Sequence, residues 1–221
     1  MKKLLAWHFT KGFKLRDGQD LVAGRTYKVE GPLRLCEHGL HASIRAIDAL
    51  EYAPDTVVSR VECSGDIVHG EDKLVCSQRK VLWCRDVSKE LRLCACDCAE
   101  TALMIAEVTD ERCWNAIDVS RGYAVGIATA EQLAAAQYAA WSAAYVAQSV
   151  MWDTAQSAAW YATYAAQSAA SYATDAAWFA TYVAQSAAQS VTYATRSAVY
   201  KEAQEDMNKT LEEYLTTKEI S

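Results

Sequence analysis

TVVSRVECSGDIVHGEDKLVCSQRKVLW, residues 56–83, decides the character of the first part of the chain. TVVSRVEC (56–63) alternates apolar and polar residues, the period-two pattern of a half-buried strand. KLVCSQRKVLW (73–83) carries two β-rich runs around a polar centre. Ser64-Gly65-Asp66 and Gly70-Glu71-Asp72 have turn chemistry, so the reading predicts strands broken at both places. Upstream, RTYKVE (25–30) alternates in the same way and stops at Gly31-Pro32. SIRAIDALEYA (43–53) instead brings Ile44, Ile47, Leu50 and Tyr52 towards one helical face, with Ser43 as N-cap and Pro54 as terminator. Strands with an intervening helix predict a small mixed α/β domain over residues 1–86.

From Asp86 onward the pattern turns helical. Ser88 is placed to cap a helix through Ile105, with Leu91, Cys94, Cys98, Ala102 and Ile105 three and four residues apart. Asp110 caps a second helix, whose stripe is Trp114, Ile117, Ser120 and Ala124, and Gly126 suits a left-handed C-cap. Thr129 and Gln132 have the spacing of a capping box and open a third. All 9 Gly lie at or before Gly126, and both prolines, Pro32 and Pro54, lie in the first quarter. Residues 1–126 carry 37 charged side chains, residues 127–200 only four (Glu131, Asp153, Asp175 and Arg196), and the last 21 residues nine.

Within the uncharged tract, AQSAAWYAT (155–163) recurs as AQSAASYAT (166–174), and WYATYAAQSAA (160–170) as WFATYVAQSAA (178–188). Offsets of 11 and 18 residues are about three and five helical turns, so each returns a side chain to one face. Trp160 and Trp178, and Tyr164 and Tyr182, thereby form aromatic stripes expected to pack between helices or between chains. One unbroken helix over 130–200 would be about 105 Å long. Helices of about 20 residues turning at the acidic positions, with Asp153 as N-cap, cover that aromatic surface better. The predicted fold class is α+β: the small mixed domain, then an all-α, Ala-rich helical bundle or long helical hairpin over 87–221.

Composition narrows the function. The chain has 221 residues, 22 Lys plus Arg against 28 Asp plus Glu, and a net charge of -6, which argues against a dedicated nucleic-acid binder. A hydrophobic share of 52% excludes wholesale disorder, and 9 Gly with 2 Pro disfavour a turn-rich sandwich or barrel. MKKLLAWHF is too short in apolar residues for a signal peptide, since Lys11, Lys14 and Arg16 follow at once. That start, with eight cysteines read as reduced thiols, predicts a cytoplasmic protein. The uncharged stretches of 132–195 are rich in Gln, Ser, Thr and Ala and have only Arg196 at their ends, which disfavours a membrane reading.

Three resemblances bear on function. GRTYKVEGPLRLCEHGLHAS (24–43), DALEYA (48–53) and RVECSGDIVHGEDKLV (60–75) resemble an uncharacterised domain family of bacteriophage and bacterial proteins. LCACDCAETAL (93–103) and DERCWNAIDVSRGYAVG (110–126) resemble the helical immunity protein family of bacterial toxin systems, which implies a binding or neutralising role. WHFT (7–10) looks like the first NAD-contacting motif of ADP-ribosyltransferases, and GLHASIRAIDALEY (39–52) is spaced like their second strand and helix. That likeness implies that His8 holds the NAD ribose, His41 stacks on nicotinamide, Tyr52 covers the ring and Glu71 or Asp72 polarises a ribose hydroxyl. The plainer reading makes His8 an edge-strand histidine and Gly39-Leu40-His41 a turn before a helix.

Asp97, Glu100, Arg112 and Arg121, on the first two helices of the second domain, read either as a solvated face or as a contact surface for a protein partner. Walker A, G-x-S-x-G, H-E-x-x-H and Rossmann signatures are absent, so no cofactor is implied. The expected role is a non-enzymatic interaction or immunity-like protein, phage associated, with an unidentified protein partner. An ADP-ribosyltransferase-like, NAD-using enzyme is the first alternative, and self-assembly of homo-oligomers through the Ala-rich helices is the second.

The clusters Cys94, Cys96, Cys98 and Cys36, His38, His41 invite a zinc reading. On a helix, however, Cys94 and Cys98 share a face that Cys96 leaves, and there is no second cysteine pair. Protein purified without chelator is therefore expected to carry far less than one zinc per chain. Elemental analysis measures this directly.

Overall fold

Two antiparallel 13-residue strands, β4 (Val57–His69) and β5 (Leu74–Asp86), form the spine of the sheet. The structure, a computed structural model, describes residues 3–105, 108–149 and 193–216. The chain divides into two compact units, Met1–Ser88 and Lys89–Ser221. The architecture is α+β, a mixed sheet-and-helix unit followed by a helical one.

In the first unit β1 (Leu4–Thr10) pairs with β4, while β2 (Thr26–Lys28) and β3 (Leu40–Ala42) share the other margin of β5. The far edge of β1 is also engaged. The Trp7 N–H donates to the Ser43 carbonyl at 2.7 Å and the Ser43 N–H to the Trp7 carbonyl at 3.0 Å. The sheet therefore curls until the segment after β3 meets β1. Ala6, Val61, Cys63, Leu74, Cys76 and Val81 are buried on it, with Leu15 and Leu21 from the loop after β1 packed alongside. Each such Val or Leu contributes about 1.5–3 kcal/mol on burial.

Two local expectations are corrected. Ser64-Gly65-Asp66 is not a turn but a bulge inside β4, where the register slips between Ser64 and Ile67. Gly65 takes φ +79 there, and the Asp66 N–H is picked up by Ser77 Oγ at 2.9 Å. The hairpin turn is the other candidate, closed by Gly70 N–H to the Lys73 carbonyl at 2.7 Å. The helix expected over 43–53 is α1 (Ala46–Leu50), five residues long, preceded by Arg45 rather than capped by Ser43. Ser43 has its backbone committed to Trp7, which holds residue 43 extended.

The described part of the second unit contains α2 (Ser88–Ile105), α3 (Glu111–Ala124), α4 (Ala130–Ser149) and α5 (Tyr193–Thr216). Ser88 is the first residue of α2, and its N–H donates to Asp86 Oδ1 at 2.8 Å. Asp110 caps α3 as expected, accepting from the Arg112 N–H, and Gly126 takes φ +79 after its last turn. Thr129 and Gln132 form the reciprocal box at the head of α4, with bonds of 2.8 and 3.2 Å. Ala116 of α3 packs against Ala136 and Ala140 of α4, small residues that let the two backbones approach.

Cys94, Cys96, Cys98 and Cys113 are all buried free thiols. Cys96 is covered as fully as its neighbours, with its thiol 3.8 Å from the Ile117 carbonyl, because α2 is packed on more than one side. Among the described residues no helix is long and apolar enough to cross a membrane. Trp160, Tyr164, Trp178 and Tyr182, and the choice between one long helix and several, lie outside the described residues.

Gly39, just before β3, has φ +122, and a Cβ there would lie 2.3 Å from Val75 Cγ2 and 2.9 Å from Leu33 Cδ2. Val75 is fully buried and cannot yield. Gly39→Ala is expected to lower unfolding free energy by about 1–3 kcal/mol in urea titration.

Candidate ligand cleft

β1 and β3 are brought together by the Trp7–Ser43 pair, and this juxtaposes two histidines far apart in sequence. His8, from β1, and His41, from β3, line one open cleft of about 1320 Å³ in the first unit. Tyr52, just after α1, lines it as well, with Trp7, Phe9 and Tyr27. Lys11, Lys14, Arg16, Arg25, Lys28, Lys73 and Arg79 contribute positive charge, against Asp17 and Glu37. The cleft is cationic although the chain is acidic.

His8 is only partly exposed as a residue, and its Nδ1 is shut from solvent with no hydrogen-bond partner. Burial, then the Arg79 charge, then His41 hold its pKa well below the ordinary histidine value, so the ring is neutral. His41 is also lowered, chiefly by burial and against a hydrogen bond with the Gly39 backbone. His41 Nε2 accepts from the Cys36 N–H at 2.9 Å, in a turn where Cys36 itself takes φ +67. His38 bonds the Glu30 carbonyl at 2.8 Å. His38 and His41 thus each spend a ring nitrogen on a backbone partner. Among the described residues no three His, Cys, Asp or Glu side chains group as a cation would need.

Tyr52 donates its hydroxyl to Asp72, which raises the Tyr52 pKa, and Lys73 Nζ lies 4.0 Å over its ring. Glu71 sits at the tip of the β4–β5 hairpin, exposed and outside the cleft lining. His8, His41 and Tyr52 are therefore brought together, and Glu71 is not.

Asp97, Glu100 and Arg121 do meet, but with each other. Arg121 Nη2 donates to Asp97 Oδ1 at 2.7 Å and also to Glu100, joining α3 to α2. Tyr214 of α5 donates to Asp97 Oδ2 at 2.6 Å. Arg112 lies apart, paired with its own cap Asp110 at 2.6 Å.

The residue that sequence reading passed over is Arg79. It is 3% exposed on β5, and Nη1 donates to the His41 carbonyl at 2.5 Å. The signal was available: Arg79 shares its strand parity with Val81, which is fully buried, while Lys80 and Leu82 face out.

Residues 7–92 match the model of a family described as a domain of unknown function (DUF7666). That stretch contains every residue lining the cleft. No curated protein and no solved structure matches the chain.

The neutral histidines give stability a pH dependence. Unfolded, His8 takes up a proton near its ordinary value of 6.5; folded, it does so only at lower pH. Its contribution is complete above that value and is lost as pH falls towards the folded pKa, at no more than about 1.4 kcal/mol per unit. His41 acts in the same sense. Urea denaturation at pH 7.5, 6.5 and 5.5 is expected to show declining stability, and His8→Gln a shallower decline.

Proposed function

We propose that the chain is a binding protein whose first unit takes a nucleotide of the NAD class without turning it over. The carrying observation is the cleft of about 1320 Å³ that joins His8, His41 and Tyr52. Its volume exceeds the roughly 300–1,000 Å³ usual for single small ligands, which suits a dinucleotide. Tyr52, half exposed, offers aromatic surface for a base or nicotinamide ring, and the lysines and arginines offer charge for phosphates. Ribosyl transfer would require a carboxylate within hydrogen-bond reach of the ribose. Glu71, the candidate for that role, is outside the lining, and Asp72 is engaged by Tyr52.

The second unit supports a further part of this reading, an immunity-like contact with a protein partner. Ile127 is 83% exposed in the α3–α4 turn and Tyr138 68% exposed on α4. The reading takes these two exposed side chains as part of that contact.

In calorimetric titration NAD is expected to bind the wild-type protein, and His41→Ala and Tyr52→Ala to weaken it about tenfold each, the loss of roughly one good contact. Chromatography of the same mixtures is expected to show no released nicotinamide. Release by wild type that His8→Ala and His41→Ala both abolish would replace this reading with that of a transferase.

A further inference from the structure

Arg79 is a buried cation with no carboxylate in contact among the described residues. Among the described residues it makes no ion pair, its Nε has no hydrogen-bond partner, and its one hydrogen bond is from Nη1 to the His41 carbonyl. A guanidinium has five N–H donors, so most of its capacity is unused. The groups facing it are the Cys63 and Cys76 thiols, the Tyr27 hydroxyl and, most weakly, the exposed carboxylate of Asp17. Removing a cation from water without a partner is strongly unfavourable. Arg79 nevertheless lines an open cleft that His8 also lines, close enough for its charge to act on that histidine.

We propose that Arg79, on the cleft that His8 also lines, is an oxyanion subsite that receives a phosphate group of the ligand. The proposal rests on the nucleotide reading of the cleft and names the part of the ligand that this wall recognises. A planar guanidinium matches two phosphate oxygens through parallel N–H donors. Lys11, Arg16 and Lys28 line the same cleft and make no ion pair among the described residues, so further negative charge on a diphosphate meets unneutralised cations.

The test is calorimetric titration of the full chain with inorganic pyrophosphate, ADP and adenosine at fixed ionic strength. ADP is expected to bind at least about tenfold more tightly than adenosine, as charge-assisted pairing provides. Pyrophosphate is expected to bind more weakly than ADP and to compete with it. Arg79→Gln is expected to erase the gap between ADP and adenosine and leave adenosine binding intact. Equal binding of ADP and adenosine by wild type overturns the subsite and leaves the nucleotide cleft standing, as does a gap that survives in Arg79→Gln. Pyrophosphate binding as tight as that of ADP supports the subsite and overturns the nucleotide reading. Binding of none of the three overturns both. Should Arg79→Gln not fold, wild-type protein labelled with 15N-arginine supplies the readout. Pyrophosphate is expected to shift the Arg79 Nε–H resonance, and an unchanged resonance at saturation overturns the subsite.

Discussion

The two backbone hydrogen bonds between Trp7 and Ser43 hold the first unit in the shape that everything else uses. Without them β1 would be an open edge, a row of unpaired donors and acceptors inviting another strand. His8 and His41 would then sit on opposite margins of the sheet, since β1 pairs with β4 and β3 with the far side of β5. The closure is secured by the side chain as well as the backbone. The Trp7 ring is fully buried, with the Arg60 guanidinium 4.3 Å above it and Trp83 edge-on at 5.8 Å. The same closure shortens α1, because Ser43 cannot both extend along β1 and cap a helix.

In the second unit an analogous constraint is electrostatic. Asp97 accepts from Arg121 of α3 and from Tyr214 of α5, so one carboxylate on α2 binds two helices, one of them 117 residues away in sequence. Burial alone would lower the Arg121 pKa, but hydrogen bonds to Glu100 and Asp97 raise it and keep the guanidinium firmly charged. Tyr214 is raised too, by burial first and then by Asp97. These side chains remain about one-third exposed, so solvent screening keeps each pair's contribution small, about 1 kcal/mol or less. Their effect lies in register: the network fixes which faces of α2, α3 and α5 meet, while Ala116, Ala136 and Leu215 supply the apolar burial.

Local signals in the sequence were legible where one physical rule acted alone. The Asp110 cap, the Thr129–Gln132 box and the Gly126 terminator are each decided within five residues, and the structure contains all three. Ser64-Gly65-Asp66 was misleading because a turn and a bulge need the same residues; only pairing along the whole of β5 distinguishes them. Ser43 was misleading for a longer-range reason, since its partner Trp7 is 36 residues away. At the cleft, a family resemblance of WHFT (7–10) and GLHASIRAIDALEY (39–52) singled out His8, His41 and Tyr52. Arg79 lay outside those motifs, and its place is set by β5 pairing with β2 and β4, opposite Tyr27 and Cys63. The repeat of 155–188 gave a strong helical period, but the residues that would test its packing are not among those described.

What surrounds Arg79 is as informative as the arginine. A carboxylate at either neighbouring thiol position would have neutralised the guanidinium within the fold, as Asp97 and Glu100 do for Arg121. Cys63 instead shares a hydrogen bond with Cys76 and is buried, and both effects push its pKa up and keep it an uncharged thiol. Cys76 in turn directs its S–H to the Leu40 carbonyl at 3.4 Å. The exposed Asp17 carboxylate acts on Arg79 only weakly, and among the described residues the arginine side chain hydrogen-bonds the His41 carbonyl alone. That carbonyl belongs to β3, so the arginine also clamps the strand carrying the second histidine. One buried charge thus couples the geometry of the cleft to its electrostatics: the bond to the His41 carbonyl uses Nη1 and leaves Nε without a partner.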